Sequence, residues 1–314
     1  MMATSQYWTL RKKKEQEWIK QNLANDELFA KRLTAFYNQA IADINTTIQV
    51  EINRVGADQV TKMDVQAFQG KAQTIVEEAE QRRKAGDHVT YSDYTKEINQ
   101  RLKVYNATMR INRLEHLKSE VGLDMLRANL KVDAALRDKL AGDFQKEAIR
   151  QAGIMMDSAQ HSKWTSPKMA KIIMAQTNGA NFSQRLWANQ DVLKAKLDQV
   201  LATGLISGQG VQVMARRLRD QVKTTVTNQS YVVERLARTE SARVQVAVQM
   251  DAIKKDGFKY VEWIEELSAC PTCKEIGAQD FGKGKGVWPI DKVPLIPVHP
   301  NCRCGIVEWV PDDY

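Results

Sequence analysis

GFKYVEWIEELSACPTC, residues 257–273, is where this chain changes its period. Upstream of Gly257, apolar residues recur every three or four positions, the spacing of one helix face. From Phe258 to Ile264 they alternate instead, as in a strand with one buried side. Two cysteines, Cys270 and Cys273, then arrive two residues apart. The expected fold class is mainly α with a small C-terminal β module, α+β overall. The long N-terminal helices would pack as a bundle or reach out as an extended arm.

Working back from Gly257, a helix over about 229–255 buries Val232, Leu236, Val246 and Met250. A separate one over about 211–226 follows the turn punctuated by Gly204, Gly208 and Gly210. Its polar face carries Arg216, Arg217, Arg219 and Lys223. Such a row is a solvated basic face in most helices, and a candidate nucleic-acid contact in a few. Residues 158–168 change texture and mark a boundary or hinge.

Upstream of that hinge no proline occurs, so nothing there forces a helix to break. Phe29, Leu33, Phe36, Tyr37, Ala40, Ile44 and Ile48 outline a helix over 25–50, with Asn25 or Asp26 available as its N-cap. Thr61 to Ala85, with Gly86 as its stop, forms the next. Tyr94, Ile98, Leu102, Tyr105 and Met109 form a third seam, with Ser92 or Asp93 as cap and Asn112 on the next step. That helix is expected to end or bend at Gly122. Leu123, Leu126, Leu130, Leu136 and Leu140 make a fourth stripe. The expected divisions are an α-helical domain over 1–157, a second helical part over 158–255, and a strand pair with a metal loop over 256–314.

Downstream of Cys273 lies a long Gly- and Pro-rich stretch, then His299-Pro-Asn-Cys302-Arg-Cys304, then a second strand over 305–310. All four cysteines of the chain fall between 270 and 304. Confined to so short a stretch, they read as metal ligands before disulfides. Zinc takes four thiolate or imidazole donors in a tetrahedron, at about 2.3 Å to sulfur and about 2.0 Å to nitrogen. Cys270, Cys273 and Cys302 are the first candidates. His299 is the fourth, with Cys304 as the alternative to it. Closing the loop with structural Zn2+ could contribute on the order of 10 kcal/mol to folding, which a loop-rich module of this size lacks otherwise.

No enzyme pattern accompanies the cluster. Four donors leave no open position for a catalytic zinc. The His-x-Glu element of a zinc deaminase and the His-Glu-x-x-His helix of a protease are both missing. Gly282-Lys-Gly-Lys-Gly286 lacks the spacing of a phosphate loop and reads as a flexible basic loop. Arg238 and Glu240 lie two apart on a helix, so they point in different directions and find partners elsewhere. A structural role for them outweighs catalysis.

Bulk numbers allow a globular core and suit long solvated helices. The 314 residues carry 46 Lys plus Arg against 38 Asp plus Glu, a formal charge of +8. That excess permits contact with DNA without requiring it. Residues 1–11 show no secretory pattern, and no apolar run approaches the ~20 residues of a membrane helix. A soluble chain made in a cytoplasm, with no membrane partner and no small-molecule substrate, is expected.

Arg238-Thr239-Glu240, the 260–264 strand, Cys270-Pro-Thr-Cys273 and His299-Pro-Asn-Cys-Arg-Cys304 together resemble the phage Mu F-like minor head proteins. These are also called head morphogenesis or minor capsid proteins of tailed bacteriophages. The resemblance covers roughly residues 160–310. It implies an internal virion protein of few copies, made in the bacterial host cytoplasm. Its partners would be the portal protein and other capsid components. Contact with packaged DNA, and in some members exit with the genome at infection, are also implied. Arg238, Thr239 and Glu240 carry over only as a structural motif. The alternative expectation is a zinc-stabilised protein that acts directly on nucleic acid. A disulfide in an oxidised particle stays open as the alternative to zinc.

Overall fold

The computed structural model describes residues 2–55, 59–84, 91–154, 166–177 and 179–311. Seven long or medium helices precede the first strand among them: α1 (Met2–Glu51), α2 (Lys62–Lys84), α3 (Tyr91–Thr108), α4 (Arg113–Ile154), α5 (Ser166–Ile173), α6 (Phe182–Ile206) and α7 (Val211–Lys255). Then come β1 (Tyr260–Ile264), a short helix α8 (Pro271–Ala278), β2 (Val287–Pro289) and β3 (Gly305–Trp309). The mainly α chain with a small C-terminal sheet is as the periodicity indicated. None of the described helices is long and apolar enough to cross a membrane.

Two compact units divide these elements. One holds residues 1–31, 136–173 and 234–314; the other holds 32–135 and 174–233.

In the second unit, Phe68, Ile75, Ile98, Met109, Leu126 and Trp187 form one apolar core. Thr61 and Asp64 start α2 as a capping pair: the Asp64 N–H donates to Thr61 Oγ1 at 3.2 Å, and the Thr61 N–H donates back to Asp64 Oδ2 at 2.7 Å. Two boundaries differ from expectation. Asn112 is not a further step of the α3 seam. It caps α4, accepting from the Glu115 N–H at 3.0 Å. Gly122 does not end a helix. It lies within α4, where a Cβ would sit 2.7 Å from the Tyr105 ring. The glycine is a packing notch rather than a stop. The Gly86 stop and the 158–165 part of the hinge fall outside the described residues, and of Ser92 and Asp93 only the helical backbone is described.

In the first unit, α1 begins at Met2, not near Asn25. No Gly or Pro occurs before Gly56, so no residue there stops the helix. Its early buried side chains are Arg11, Glu15, Ile19, Asn22 and Asp26. They repeat every three or four residues, but four of the five are polar, so an apolar stripe does not reveal them. Asp26 is therefore interior to the helix and caps nothing. The sequence likewise suggested two helices over 211–255, where α7 is one. Its buried Thr225, Gln229 and Ser230 masked the continuity.

The sheet of this unit has the order β2-β1-β3, all antiparallel. β1 and β3 are the strand pair expected from the alternation, with Glu262 opposite Val307 and Trp263 opposite Ile306. β2 and α8 were not anticipated. Strand alternation gives the sheet two faces. Val261, Trp263 and Ile306 pack with Cys273, Ile276 and Trp288 on one face. Ile264 and Val307 pack with Ile19 of α1 on the other.

Candidate metal centre

Pro271 opens α8, with Cys270 as its N-cap residue. Proline suits the first helical turn because its missing N–H would be unbonded there anyway. The CPTC segment is thus the start of a helix. The Cys270 sulfur falls at the helix N-terminus, where unpaired N–H groups favour thiolate, and Cys273 is buried in the first turn. From the other side, residues 299–302 form a turn closed by the Cys302 N–H donating to the His299 carbonyl at 3.1 Å. Asn301 takes φ 69° within it, the left-handed region.

These two pieces bring the five candidate donors together. His299 Nε2 lies 3.1 Å from Cys270 Sγ and 3.2 Å from Cys273 Sγ. Cys273 Sγ lies 3.8 Å from Cys302 Sγ. Donor atoms of Cys270, Cys273 and His299 are all within 4.8 Å of one another, and so are those of Cys273, Cys302 and Cys304. Cys273 is common to both groups. All four cysteines are free thiols, and the 3.8 Å separation is nearly twice the ~2.05 Å of a disulfide.

Charge is distributed unevenly over the cluster. A hydrogen bond with Cys304 pulls the Cys302 thiol down to about 5, and the same contact pushes Cys304 up. The Cys270 thiol is also pulled down, first by the Cys273 backbone N–H. Burial pushes Cys273 up to about 12. One sulfur from each half is therefore inclined to thiolate. His299 Nδ1 lies 2.9 Å from the Pro300 carbonyl oxygen. An N–H there leaves the Nε2 lone pair facing the sulfurs.

The Arg238-Thr239-Glu240 stretch sits on α7 beside this loop, and each residue has a distinct contact. Thr239 Oγ1 accepts from the Asn301 backbone N–H at 3.0 Å. Glu240, buried, accepts from Arg243 Nε at 2.7 Å. Arg243 in turn donates to the carbonyls of Ile172 and Ile173 at 2.7 and 2.9 Å, which ties the C-terminus of α5 to α7. Arg238 lies 3.9 Å from Asp26, with its side chain 30% exposed.

The residue that sequence reasoning passed over is Arg303. It stands between Cys302 and Cys304, and its side chain is buried. Its guanidinium donates to both Asp26 oxygens at 2.8 Å, to Ser241 Oγ at 2.6 Å, and to Gln245. Its one visible sign is position: an arginine between two cysteine candidates in an extended stretch turns its side chain away from theirs. Of the basic row, Arg216, Arg217 and Lys223 are exposed on α7. Arg219 is half-buried and donates to Gln49 at 2.6 Å. The 282–286 loop is ordered around Asp280, whose Oδ1 accepts from the N–H groups of Gly282, Lys283 and Gly284.

Residues 195–307 match the family model described as Phage Mu protein F like protein. The match places this segment in the phage Mu F-like family. It takes in all of α7, the whole sheet but its last two residues, and all five donors. No curated protein and no solved structure matches the chain.

Proposed function

We propose that a chain whose residues 195–307 are phage Mu F-like is a minor capsid, or head morphogenesis, protein of a tailed bacteriophage. It would be bound to the portal inside the procapsid and to other capsid components. The match over the segment that holds the α7 motif and the cysteine cluster supports this most. A non-enzymatic role belongs to this reading, with the cluster supplying structural donors. Mass spectrometry of purified virions and of portals isolated from procapsids tests it. The chain should be found in both. Its absence from portals would remove the portal partner, and its absence from virions would sink the capsid role.

Within that role the cysteine cluster would hold one structural Zn2+ on Cys270, Cys273, His299 and Cys302. Regular ZnS geometry at about 2.3 Å sets neighbouring sulfurs about 3.8 Å apart, the separation of Cys273 and Cys302. The His299 distances are about 0.4 Å shorter than the corresponding sulfur–nitrogen edge, a small relaxation. The Nδ1 contact to Pro300 is the kind of outer hydrogen bond that orients metal-binding imidazoles. Cys304 would then serve as donor to the Cys302 sulfur rather than as ligand. Zinc content of the purified chain decides: Cys302→Ser and His299→Ala should lose the ion, and Cys304→Ser should keep it. Retention in His299→Ala with loss in Cys304→Ser would reverse the assignment.

Exposure of Arg216, Arg217 and Lys223 on one stretch of α7 favours DNA contact as a second reading. A mobility-shift titration should then weaken steeply with salt, and less steeply for each base removed. Binding that ignores salt would dismiss it.

A further inference from the structure

The metal loop is not self-sufficient. The strand that leaves it runs directly against residues 11–26 of α1. Arg303 leaves the backbone between two sulfurs of the cluster, and its side chain is only 4% exposed where it meets Asp26, itself 3% exposed. Asp26 also accepts from Lys139 at 3.0 Å. Gln245, another acceptor for Arg303, donates to Asn22 one turn earlier on α1 at 3.1 Å. Two residues beyond Arg303, Gly305 packs so close to α1 that a Cβ would lie 3.3 Å from both Glu15 Oε1 and Ile19 Cδ1. At the end of β3, Glu308 accepts from Arg11 Nε at 2.8 Å and from Arg11 Nη2 at 3.3 Å. So α1 touches the 303–308 segment at three points about two turns apart, through Asp26, Ile19 and Arg11.

We infer that seating of residues 11–26 of α1 and loading of the metal centre form one linked equilibrium, with Arg303 as the positioning residue that joins them. This rests on the zinc assignment above. An ion on Cys302 fixes the backbone at residue 303, and that backbone position delivers the guanidinium to Asp26. Without the ion the 299–304 turn is held at fewer points, and Arg303 can withdraw toward water. Conversely, without the Asp26 carboxylate the guanidinium is a buried charge missing its main counter-charge. The 299–304 turn then gains by moving outward, which pulls Cys302 off the metal. Coupling of this kind must act equally in both directions. The first turns of the chain thus report whether the C-terminal site is filled, and act on it in return.

Two measurements on the full-length chain test the link. Zinc affinity is read by competition with a chromophoric chelator, and hydrogen exchange is read along residues 11–31 with zinc bound and stripped. Asp26→Asn should weaken zinc binding by about 5- to 150-fold, the usual span of site-to-site coupling. Lys13→Gln, on the solvent face of the same helix, should leave it unchanged. Stripping zinc from the unmodified chain should remove protection from residues 11–31. Equal affinity for the Asp26→Asn and unmodified chains overturns the inference. If the variant does not fold, exchange on the unmodified chain decides, and unchanged protection in 11–31 after zinc removal overturns it. A chain that takes up no zinc at all would instead defeat the metal assignment itself, and the link with it.

Discussion

The backbone N–H of Asn301 donates to Thr239 Oγ1 across 62 residues of sequence, at 3.0 Å. Asn301 holds φ 69° inside the His299–Cys302 turn, so the hydroxyl secures the one backbone position there that most non-glycine residues avoid. Thr239→Val keeps the shape and removes the acceptor. It should destabilise the module by about 1–3 kcal/mol, the cost of leaving an N–H unpaired. Thr239→Ser should recover most of that in denaturant unfolding. Equal stability of the Val and Thr forms would show that the contact is idle.

Zinc removal should be visible to two tryptophans. Trp263 and Trp288 are buried in the core that contains Cys273, Cys302 and Cys304. If an ion supplies on the order of 10 kcal/mol to this loop-rich part, a strong chelator should red-shift their emission at temperatures where the metal-bound chain is intact. Re-addition of zinc should reverse the change. An emission spectrum indifferent to chelator and to added zinc would argue against a structural ion.

Asp64 combines a helix cap with a charge partner. Its Oδ2 accepts from Thr61 and, at 2.5 Å, from the buried Arg113. Burial alone would raise its carboxyl, but the Thr61 and Arg113 hydrogen bonds outweigh burial and hold it below the ordinary range. The sign follows: its stabilising effect is complete above the unfolded carboxylate range and is lost as pH falls toward the depressed folded value. Asp64→Ala should cost about 3 kcal/mol at neutral pH, from the lost cap and the exposed imbalance at Arg113. The difference from the unmodified chain should shrink below about pH 4.

Asp124 behaves oppositely. Burial lifts its carboxyl to about 6, against the hydrogen bond from Thr47 at 2.6 Å and the nearby Lys71, with Glu120 and Asp43 adding to the rise. Here the folded state binds the proton more tightly, so this residue's contribution declines as pH rises from about 4 to about 6. Asp124→Asn should raise stability at pH 7 by up to about 3 kcal/mol and flatten that part of the pH profile. A variant less stable than the parent at pH 7 would contradict the assignment.

Two glycines of α4 make an internal control. A Cβ at Gly142 meets nothing within 4 Å, whereas one at Gly122 would meet the Tyr105 ring at 2.7 Å. Gly142→Ala should stabilise by about 0.5–1 kcal/mol through helix propensity. Gly122→Ala should destabilise by about 1–3 kcal/mol through overpacking, despite the same propensity gain. Thermal melts of the two variants should move in opposite directions.

The sequence by itself determined the mainly α class, the β1–β3 strand pair, and the five donors at 270–304. Each is encoded locally, in apolar spacing or in residue type at short separation, and needs no knowledge of distant partners. Tertiary structure decided what polar residues do when a helix buries them. Arg11, Glu15, Asn22 and Asp26 line the inner face of α1, yet in the sequence they look like solvent-facing positions, and Asp26 like a cap. Their burial is stable only because Glu308, Arg150, Gln245 and Arg303 supply the matching charges and hydrogen bonds. Those partners lie more than a hundred residues away, and no period of three, four or two can point to them. For the same reason the three roles within Arg238-Thr239-Glu240 emerge only when α7 is set beside the 299–304 turn.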